Sequence, residues 1–296
     1  MKRSIHVIWN RHASQAEKYA ELLETFNSRS DVVVLESESS DHAREYAAKV
    51  SQEDARVIVA AGGDGTVNTV MEGLLASDQD IPLGVLPLGT GNDFSRNTQI
   101  PWNPVEAFSL IEQREPTMID VIEVRSEAET FHYLNMATAG NTGLYSDWIT
   151  DEMKKFWGPL VYLRGAVDLA ANLQVFDVEL EFDNTSSESF QALNLFLANG
   201  SVTGGGLPVA PDAKINDGLI DVILVLDCTP VAVAGLVTQY TLSDYLTNEN
   251  IVYRRCQSVS IKSSPPLTLT ADGDTRSDQP VTVEVLPQRL PVITGL

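Results

Sequence analysis

Apolar runs and amphipathic stretches alternate over the first 122 residues. Short runs rich in β-branched residues predict buried strands, and stretches with apolar residues three and four positions apart predict helices. The predicted strands are residues 4–9, 31–35, 57–61 and 81–87. The predicted helices are residues 14–26, 41–50, 67–75 and 104–113. This alternation predicts a doubly wound α/β domain with a parallel sheet.

Beyond this region the pattern consists mostly of strands, with helical stretches near 146–172 and 230–242. The predicted strands are residues 117–125, 130–137, 175–182, 189–198, 219–226, 258–262, 267–271 and 281–286. The pattern therefore predicts a second, β-rich and sandwich-like domain. We expect an α/β nucleotide-binding domain over residues 1–122, the β-rich domain over 123–286, and a segment of residues 287–296 that returns to the first domain.

A glycine-rich turn joins the strand at 57–61 to the helix that follows it. The turn contains Gly62, Gly63 and Gly65, which let backbone N–H groups approach a ligand without interference from Cβ atoms. The positive end of the helix dipole favours phosphate at the same place. A plain turn that binds nothing is the alternative, but the polar side chains of Asp64 and Asn68 favour a phosphate site.

A second glycine turn, residues 89–94, follows the strand at 81–87. The carboxyl ends of neighbouring parallel strands lie at one edge of a sheet, where open α/β sheets bind ligands. The two turns therefore predict one nucleotide site. The chain has no G-x-x-x-x-G-K-[ST] motif, and no lysine follows the glycines. A cation must come from elsewhere, and Mg²⁺ suits phosphate oxygens.

Composition and missing motifs exclude several other classes of protein. The 41 acidic and 20 basic residues give a formal charge of −21, which repels nucleic acid and anionic membranes. The sequence contains no H-E-x-x-H, no paired-cysteine metal motif, no G-x-G-x-x-G and no G-x-S-x-G. Only two cysteines occur, and no apolar stretch reads as a signal peptide or a membrane span. We therefore expect a cytoplasmic protein that does not bind nucleic acid.

Five motifs follow one another along the chain in an order that resembles a known family. They are GGDGTVN at 62–68, GTGNDF at 89–94, GGGLPVAP at 204–211, NDGLIDV at 216–222 and DGD at 272–274. Together they resemble the bacterial diacylglycerol kinase and YegS-type lipid kinases, over nearly the whole chain. The first motif is shared with NAD kinases and 6-phosphofructokinases, whereas the later motifs select the lipid kinases.

The resemblance implies transfer of the γ-phosphoryl group of ATP to a hydroxyl group of a diacylglycerol-like lipid. It implies a structural Mg²⁺ held by Asp217 and the carbonyl groups of Lys214 and Leu219, although Asp217-Gly218 also reads as an ordinary turn. It assigns the catalytic base to Asp274, with Asp272 as the alternative. The ATP-binding residues it implies are Asn10, Ser37, Gly62, Gly63, Asp64, Gly65, Thr66, Val67, Asn68 and Thr90.

The chain departs from the family pattern at three places. Residues 10–14 read N-R-H-A-S, without the proline and glycine of the family loop N-P-x-S-G. Thr69 follows Asn68 where glutamate is frequent. Asp274 stands where the family has glutamate, and its side chain is shorter by one methylene, about 1.5 Å.

These departures leave two alternatives open, a non-catalytic lipid or nucleotide sensor of the same fold and a kinase for a soluble acceptor such as NAD. For a lipid kinase, we expect peripheral contact with the inner face of the membrane, where the lipid acceptor lies. The apolar and aromatic residues of 148–173 are candidates for the lipid cleft, and Lys154, Lys155, Phe156 and Trp157 for the membrane contact. A homodimer is left open, and the acceptor lipid is not specified.

Overall fold

A computed structural model describes residues 4–50, 54–77, 80–141, 173–241, 245–276 and 280–296. The expected lipid-cleft and membrane-contact residues within 148–172 lie outside these ranges. The described helices are α1 (Ala20–Ser28), α2 (Ser40–Lys49), α3 (Asp64–Leu75), α4 (Asp93–Asn97), α5 (Pro104–Gln113) and α6 (Pro230–Thr241).

Fifteen strands are found within the described ranges. They are β1 (Ser4–Asn10), β2 (Val32–Ser37), β3 (Ala55–Gly62), β4 (Leu83–Pro87), β5 (Thr117–Arg125), β6 (Thr130–Tyr133), β7 (Met136–Gly140), β8 (Phe176–Phe182), β9 (Glu188–Ala198), β10 (Ile220–Leu226), β11 (Ile251–Cys256), β12 (Ser258–Ser264), β13 (Leu269–Ala271), β14 (Asp274–Arg276) and β15 (Val281–Val292). All of them are linked by hydrogen bonds into one extended sheet.

The first four strands form the parallel sheet that the sequence predicts. They lie in the order β2-β1-β3-β4, and every pairing among them is parallel. The helix α3 buries Val67, Val70, Met71 and Leu74 against this sheet, as the spacing of its apolar residues predicts. The strand order brings the carboxyl ends of all four strands to one edge of the sheet.

The β-rich part is built from antiparallel pairings around a second core. Strand β9 pairs with β7, β8 and β10, while β12 pairs with β8 and β15. Side chains of β8 alternate between buried and more exposed positions, whereas β9 and β10 contain runs of consecutive buried residues. The predicted fold class, an α/β domain followed by a β-rich domain, is confirmed.

The strand β15 connects the two parts. Its first half contributes Val281, Val283 and Val285 to the core of the β-rich part, and its second half contributes Leu290 and Val292 to the core of the α/β part. It runs antiparallel to β5 and reaches β4 at its end, where Val292 is in register with Leu83. The predicted boundary at 286/287 falls inside this strand, at an irregularity in its register.

Two local differences from the predicted elements have identifiable causes. The helix predicted from residue 14 is replaced by a 3₁₀ turn at Glu17–Tyr19 followed by α1. Here Ser14 and Gln15 instead bond the backbone carbonyl groups of Leu88 and Gly89. The strand predicted at 130–137 is divided between β6 and β7, because the intervening backbone N–H groups donate to a carboxylate described below.

The described helices include none that is both long enough and apolar enough to span a bilayer.

Candidate functional site

The two glycine turns pack backbone against backbone at the edge of the parallel sheet. Gly62 at the end of β3 is in register with Pro87 at the end of β4. A Cβ atom placed on Gly89 would lie 2.5 Å from the Cα atom of Gly63. A larger residue at position 89 would therefore push the turns apart, so glycine here has a steric cause.

The helix α3 begins directly at the first turn. Gly63 is its N-cap residue and has no side chain to accept a hydrogen bond from the helix. The N–H groups of Thr66 and Val67 donate back to the Gly63 carbonyl oxygen, at 2.9 and 3.1 Å. A helix N-terminus without a capping side chain, beside a second glycine turn, is suited to binding the oxygen atoms of a phosphate.

The loop after β1 is joined to both turns. The Asn10 Nδ2 group donates to Thr66 Oγ1 at 2.9 Å. The Gln15 Nε2 group donates to the Gly89 carbonyl oxygen at 3.0 Å, and Thr90 Oγ1 donates to Ser14 Oγ at 3.2 Å. The loop lacks the proline and glycine of the family pattern, but these side chains hold it beside the glycine turns.

A cleft of about 660 Å³ lies over this edge of the sheet. Six of the ten predicted ATP-binding residues line it. They are Asn10, Ser37, Gly63, Gly65, Thr66 and Thr90. Of the others, Val67 is buried in the core of the α/β part. Asn68 lines a separate cavity of about 30 Å³, and its buried Oδ1 atom has no hydrogen-bond partner.

The short helix α4 connects the glycine turns to the β-rich part. The Phe94 N–H group donates to Asp64 Oδ1 at 2.9 Å. Asp93 in turn accepts a hydrogen bond from the N–H group of Gly205, at 2.9 Å to Oδ2. The Asn97 side chain donates to Asn135 Oδ1 at 2.9 Å and to the carbonyl oxygen of Val202 at 3.2 Å. The first, second and third glycine motifs therefore meet around α4.

Two carboxylates converge beside the second glycine turn. A Cβ atom on Gly91 would lie 3.4 Å from Asp64 Oδ2 and 3.6 Å from Asp93 Oδ2. Burial raises the pKa of Asp64, and the nearby charge of Asp93 raises it further, while the Phe94 N–H group opposes both. Asp93 Oδ1 also lies 3.8 Å from Arg96 Nε. The oxygen atoms of Asp64 and Asp93 that face Gly91 are of the kind that a hard divalent cation prefers. No group of three His, Cys, Asp or Glu side chains in the described ranges could hold a metal ion, so phosphate and water would supply its other ligands.

The DGD motif forms the tight turn between β13 and β14. Asp272 and Gly273 have φ values of +44° and +97°. The carboxylate of Asp272 accepts hydrogen bonds from three consecutive backbone N–H groups. These are the N–H groups of Leu134 at 2.8 Å, Met136 at 3.1 Å and Asn135 at 3.2 Å.

Burial raises the pKa of Asp272 to about 6, against the effect of the three N–H donors, and the charge of Asp64 raises it too. Asn135, whose N–H group donates to Asp272, also accepts a hydrogen bond from the Asn97 side chain of α4 through its Oδ1 atom. Asp274 begins β14 in register with Ala271, two residues after Asp272. The DGD turn of the β-rich part therefore lies near α4, as does the first glycine turn at residues 62–65, which we call the phosphate turn.

The turn that contains Asp217 is held by contacts within its own chain. Asp217 Oδ1 accepts a hydrogen bond from the Leu219 N–H group at 3.2 Å, and Oδ2 forms an ion pair with Arg255. Arg255 lies on β11 directly opposite the buried Asp221, and its Nε atom is 3.5 Å from Asp221 Oδ1. Both oxygen atoms of Asp217 therefore have partners within this chain, and the Mg²⁺ site with the carbonyl groups of Lys214 and Leu219 stays a prediction.

Replacing Arg255 with Gln is expected to reduce the free energy of unfolding by about 2 kcal/mol. The change leaves Asp217 and the buried Asp221 without their guanidinium partner, and partial exposure of Arg255 keeps the loss below that of a fully buried pair. Urea unfolding measures it. The matched control is Arg254→Gln on the same strand, whose exposed guanidinium donates to a backbone carbonyl group. Equal stabilities of the two variants would contradict the assignment, and destabilisation of the unaltered protein by EDTA would support the predicted Mg²⁺ site.

Several residues at the site have weak sequence signals. Asn92 has φ +50°, and its side chain bonds both the N–H and the carbonyl group of Gly89. Its position in a G-x-G-N turn is a local signal that could identify this role. Asn97 lies three residues after the GTGNDF motif, at the end of α4. Arg44 lies on α2, away from any glycine motif, so only the fold shows that it reaches the site.

Comparison with known proteins follows the same division of the chain. Residues 4–124 match the diacylglycerol kinase catalytic domain, and residues 137–294 match the YegS C-terminal NAD kinase beta sandwich-like domain. A relative from Xanthomonas axonopodis pv. citri, described as a "probable lipid kinase YegS-like", is 32% identical over 254 residues. That alignment covers 84% of this chain and 82% of the relative.

Other relatives carry the name diacylglycerol kinase. One, from Staphylococcus carnosus, is 26% identical over 243 residues, which cover 82% of this chain and 78% of the relative. A crystal structure of a diacylglycerol kinase from Bacillus anthracis matches this chain with a TM-score of 0.74 and 22% sequence identity. The match covers 100% of this chain and 98% of the Bacillus chain, and it supports the fold. Both domain matches and the Xanthomonas relative show that this chain belongs to the diacylglycerol kinase and YegS-like lipid kinase family.

Proposed function

We propose that this protein is a lipid kinase that transfers the γ-phosphoryl group of ATP to a hydroxyl group of a diacylglycerol-like lipid. The observation that carries the proposal is the junction around α4. There the phosphate turn, the carboxylates of Asp64 and Asp93 and the glycine motif at 204–206 come together, and Asn135 links the DGD turn to Asn97 of α4. A site divided between two domains can hold a donor on one side and an acceptor on the other.

The glycine turns are proposed to bind the nucleotide phosphates through backbone N–H groups. Mg²⁺ would arrive with ATP and be held by Asp64 and Asp93. When bound, it neutralises charge on the phosphate oxygens. The two carboxylates also position α4, because Asp64 accepts from Phe94 and Asp93 accepts from Gly205. The two carboxylates that would hold the cation therefore also fix the glycine motif at 204–206 against the phosphate turn.

Asp274 is proposed as the base that accepts the proton of the lipid hydroxyl group. Both carboxylate oxygens of Asp272, the alternative, accept hydrogen bonds from backbone N–H groups of residues 134–136, and this leaves them less accessible to a substrate hydroxyl group. Its proposed role is to hold the DGD turn against residues 134–136. A general base contributes roughly 10²- to 10⁴-fold to the rate when it is positioned within hydrogen-bond reach of the proton.

The acceptor is proposed to be reached by peripheral contact with the cytoplasmic face of the membrane. The net charge of −21 opposes an anionic surface, so apolar contact must supply much of the binding energy. Sedimentation with vesicles of neutral lipid and of anionic lipid measures this directly. We expect more binding to the neutral vesicles, and equal or greater binding to the anionic ones would contradict this view.

Incubation with radiolabelled ATP, Mg²⁺ and separate lipids tests the proposed activity. The panel contains diacylglycerol, phosphatidylglycerol, a sphingoid base and a polyprenol, and NAD serves as the soluble acceptor. We expect label in diacylglycerol and none in NAD. Label in another lipid would support a lipid kinase with a different substrate. Label in NAD alone would indicate a soluble acceptor, and ATP binding without any transfer would indicate a sensor.

A further inference from the structure

The phosphate turn contains no cationic side chain, although ATP carries several negative charges. Of the described residues lining the cleft of about 660 Å³, Arg44 alone bears a guanidinium or ammonium group. Glu38 and His12 also line the cleft, and Arg11 lies beside it, with its Nε atom 3.4 Å from His12 Nε2. In a protein with a net charge of −21, a nearby cation has a large effect on the binding of a polyanion.

The backbone at Arg44 is fixed relative to the phosphate-binding helix. A Cβ atom on Gly73 of α3 would lie 2.4 Å from the Arg44 carbonyl oxygen and 2.7 Å from the Ala47 Cβ atom. The helices α2 and α3 therefore touch at a point where only glycine fits. Since α3 begins at the phosphate turn, this contact sets the distance from Arg44 to that turn.

The guanidinium of Arg44 is available for a ligand. Its Nη1 atom lies 3.3 Å from Asp41 Oδ1, but that carboxylate is 83% exposed, and such pairs contribute little. Thr69, which lines the cleft beside Arg44, donates its hydroxyl group to the Gly65 carbonyl oxygen at 2.9 Å. Thr69 therefore brings no carboxylate to the guanidinium. The Glu72 carboxylate, which is near Arg44, accepts a hydrogen bond from the His132 N–H group at 2.8 Å and lies 3.2 Å from His132 Nδ1.

A second cavity supports the same placement. The cavity of about 30 Å³ that contains Asn68 is also lined by Arg44, Thr69 and Glu72. Arg44 therefore lies between the cleft and the partnerless Oδ1 atom of Asn68. A guanidinium has five N–H donors and can serve a phosphate oxygen and a neighbouring acceptor together.

We propose that Arg44 binds the phosphate groups of the nucleotide and supplies the cation that the glycine turn lacks. This inference rests on the proposed function, because it assumes a nucleoside triphosphate in the cleft. Arginine pairs with phosphate through two parallel hydrogen bonds, and charge-assisted bonds of this kind are about twice as strong as neutral ones. Arg44 is thus a determinant of affinity for the phosphate chain and makes no contribution specific to the base.

Calorimetric titration with ATP and with adenosine tests the proposal. We expect Arg44→Gln to weaken ATP binding roughly 10- to 100-fold, and adenosine binding less than about 2-fold. Arg44→Lys keeps the charge and is expected to recover part of the ATP affinity. The matched control is Lys49→Gln, which removes the same charge from an exposed site on the same helix and is expected to leave both affinities unchanged.

Unchanged ATP affinity in Arg44→Gln would overturn the proposal. An equal loss of ATP and adenosine affinity would also overturn it, because Arg44 would then shape the cleft without binding phosphate. These outcomes are separate from failure of the proposed function. A protein that binds ATP through Arg44 but phosphorylates no lipid would support this inference and refute the kinase.

Discussion

Replacing Asp64 with Asn is expected to lower phosphoryl transfer by roughly 10²- to 10³-fold while the protein stays folded. Asp64 Oδ1 accepts a hydrogen bond from the Phe94 N–H group. Asp64 Oδ2 lies beside Gly91, as does Oδ2 of Asp93. Asparagine keeps the size and can accept from Phe94, but it removes the negative charge proposed to hold Mg²⁺. We therefore expect a larger loss of catalytic activity than of stability.

Steady-state kinetics with the lipid acceptor measures this effect, and a thermal unfolding curve shows that the variant is folded. Asp227→Asn provides a matched control, because it removes an exposed carboxylate by the same substitution. The expected signature is a fall in kcat that higher Mg²⁺ concentration partly restores. Activity within a few-fold of the unaltered protein would refute the assignment of Asp64 to the reacting centre.

Replacing Asp272 with Ala is expected to destabilise the protein by about 3 kcal/mol or more. The change leaves the N–H groups of Leu134, Asn135 and Met136 without their acceptor, and all three residues are at most 3% exposed. Each unsatisfied buried donor costs about 1 to 3 kcal/mol. The φ value of +44° adds strain for alanine, whereas asparagine tolerates that conformation.

Urea unfolding of Asp272→Ala and Asp272→Asn measures the difference between the two variants. Asparagine retains one acceptor oxygen and should lose less stability than alanine. If both variants unfold at the same urea concentration as the unaltered protein, the carboxylate does not hold residues 134–136 as described.

The pH dependence of stability gives a second measurement on the same residue. The folded-state pKa of Asp272 is about 6, above the usual aspartate value of 3.8, so the folded protein binds the extra proton between these values. The contribution of Asp272 is therefore complete below about pH 4 and decreases as the pH rises through 6. Asp272→Asn should remove this part of the pH dependence, and an unchanged profile would contradict the raised pKa.

The parallel sheet and the phosphate turn could be predicted from the sequence because both depend on local patterns. The β-branched run before Gly62 and the apolar spacing from Val67 to Leu74 each lie within a few residues of one another. The same holds for strands such as β5 and helices such as α5, whose predicted and observed bounds agree. Local propensity and core burial favour the same structure at these places.

The remaining contacts could not be predicted because they join distant parts of the chain. Asp272 and Leu134 are separated by 138 positions, and Asp93 and Gly205 by 112. The pairing of Arg255 with Asp217 depends on β11, whose sequence I-V-Y-R-R-C has no clear alternation of apolar and polar residues. Such contacts depend on the register of strands that meet only in the folded protein.

The path of β15 has a consequence for how the protein is made. The sheet edge beside β4 and β5 is covered by residues near the end of β15, and the N–H groups of Ile293 and Gly295 donate to Leu83 and Thr98. During synthesis, the sheet of the α/β part therefore keeps an open edge until residues 281–295 have left the ribosome. We therefore expect the sheet of the α/β part to be completed only after the β-rich part has been translated.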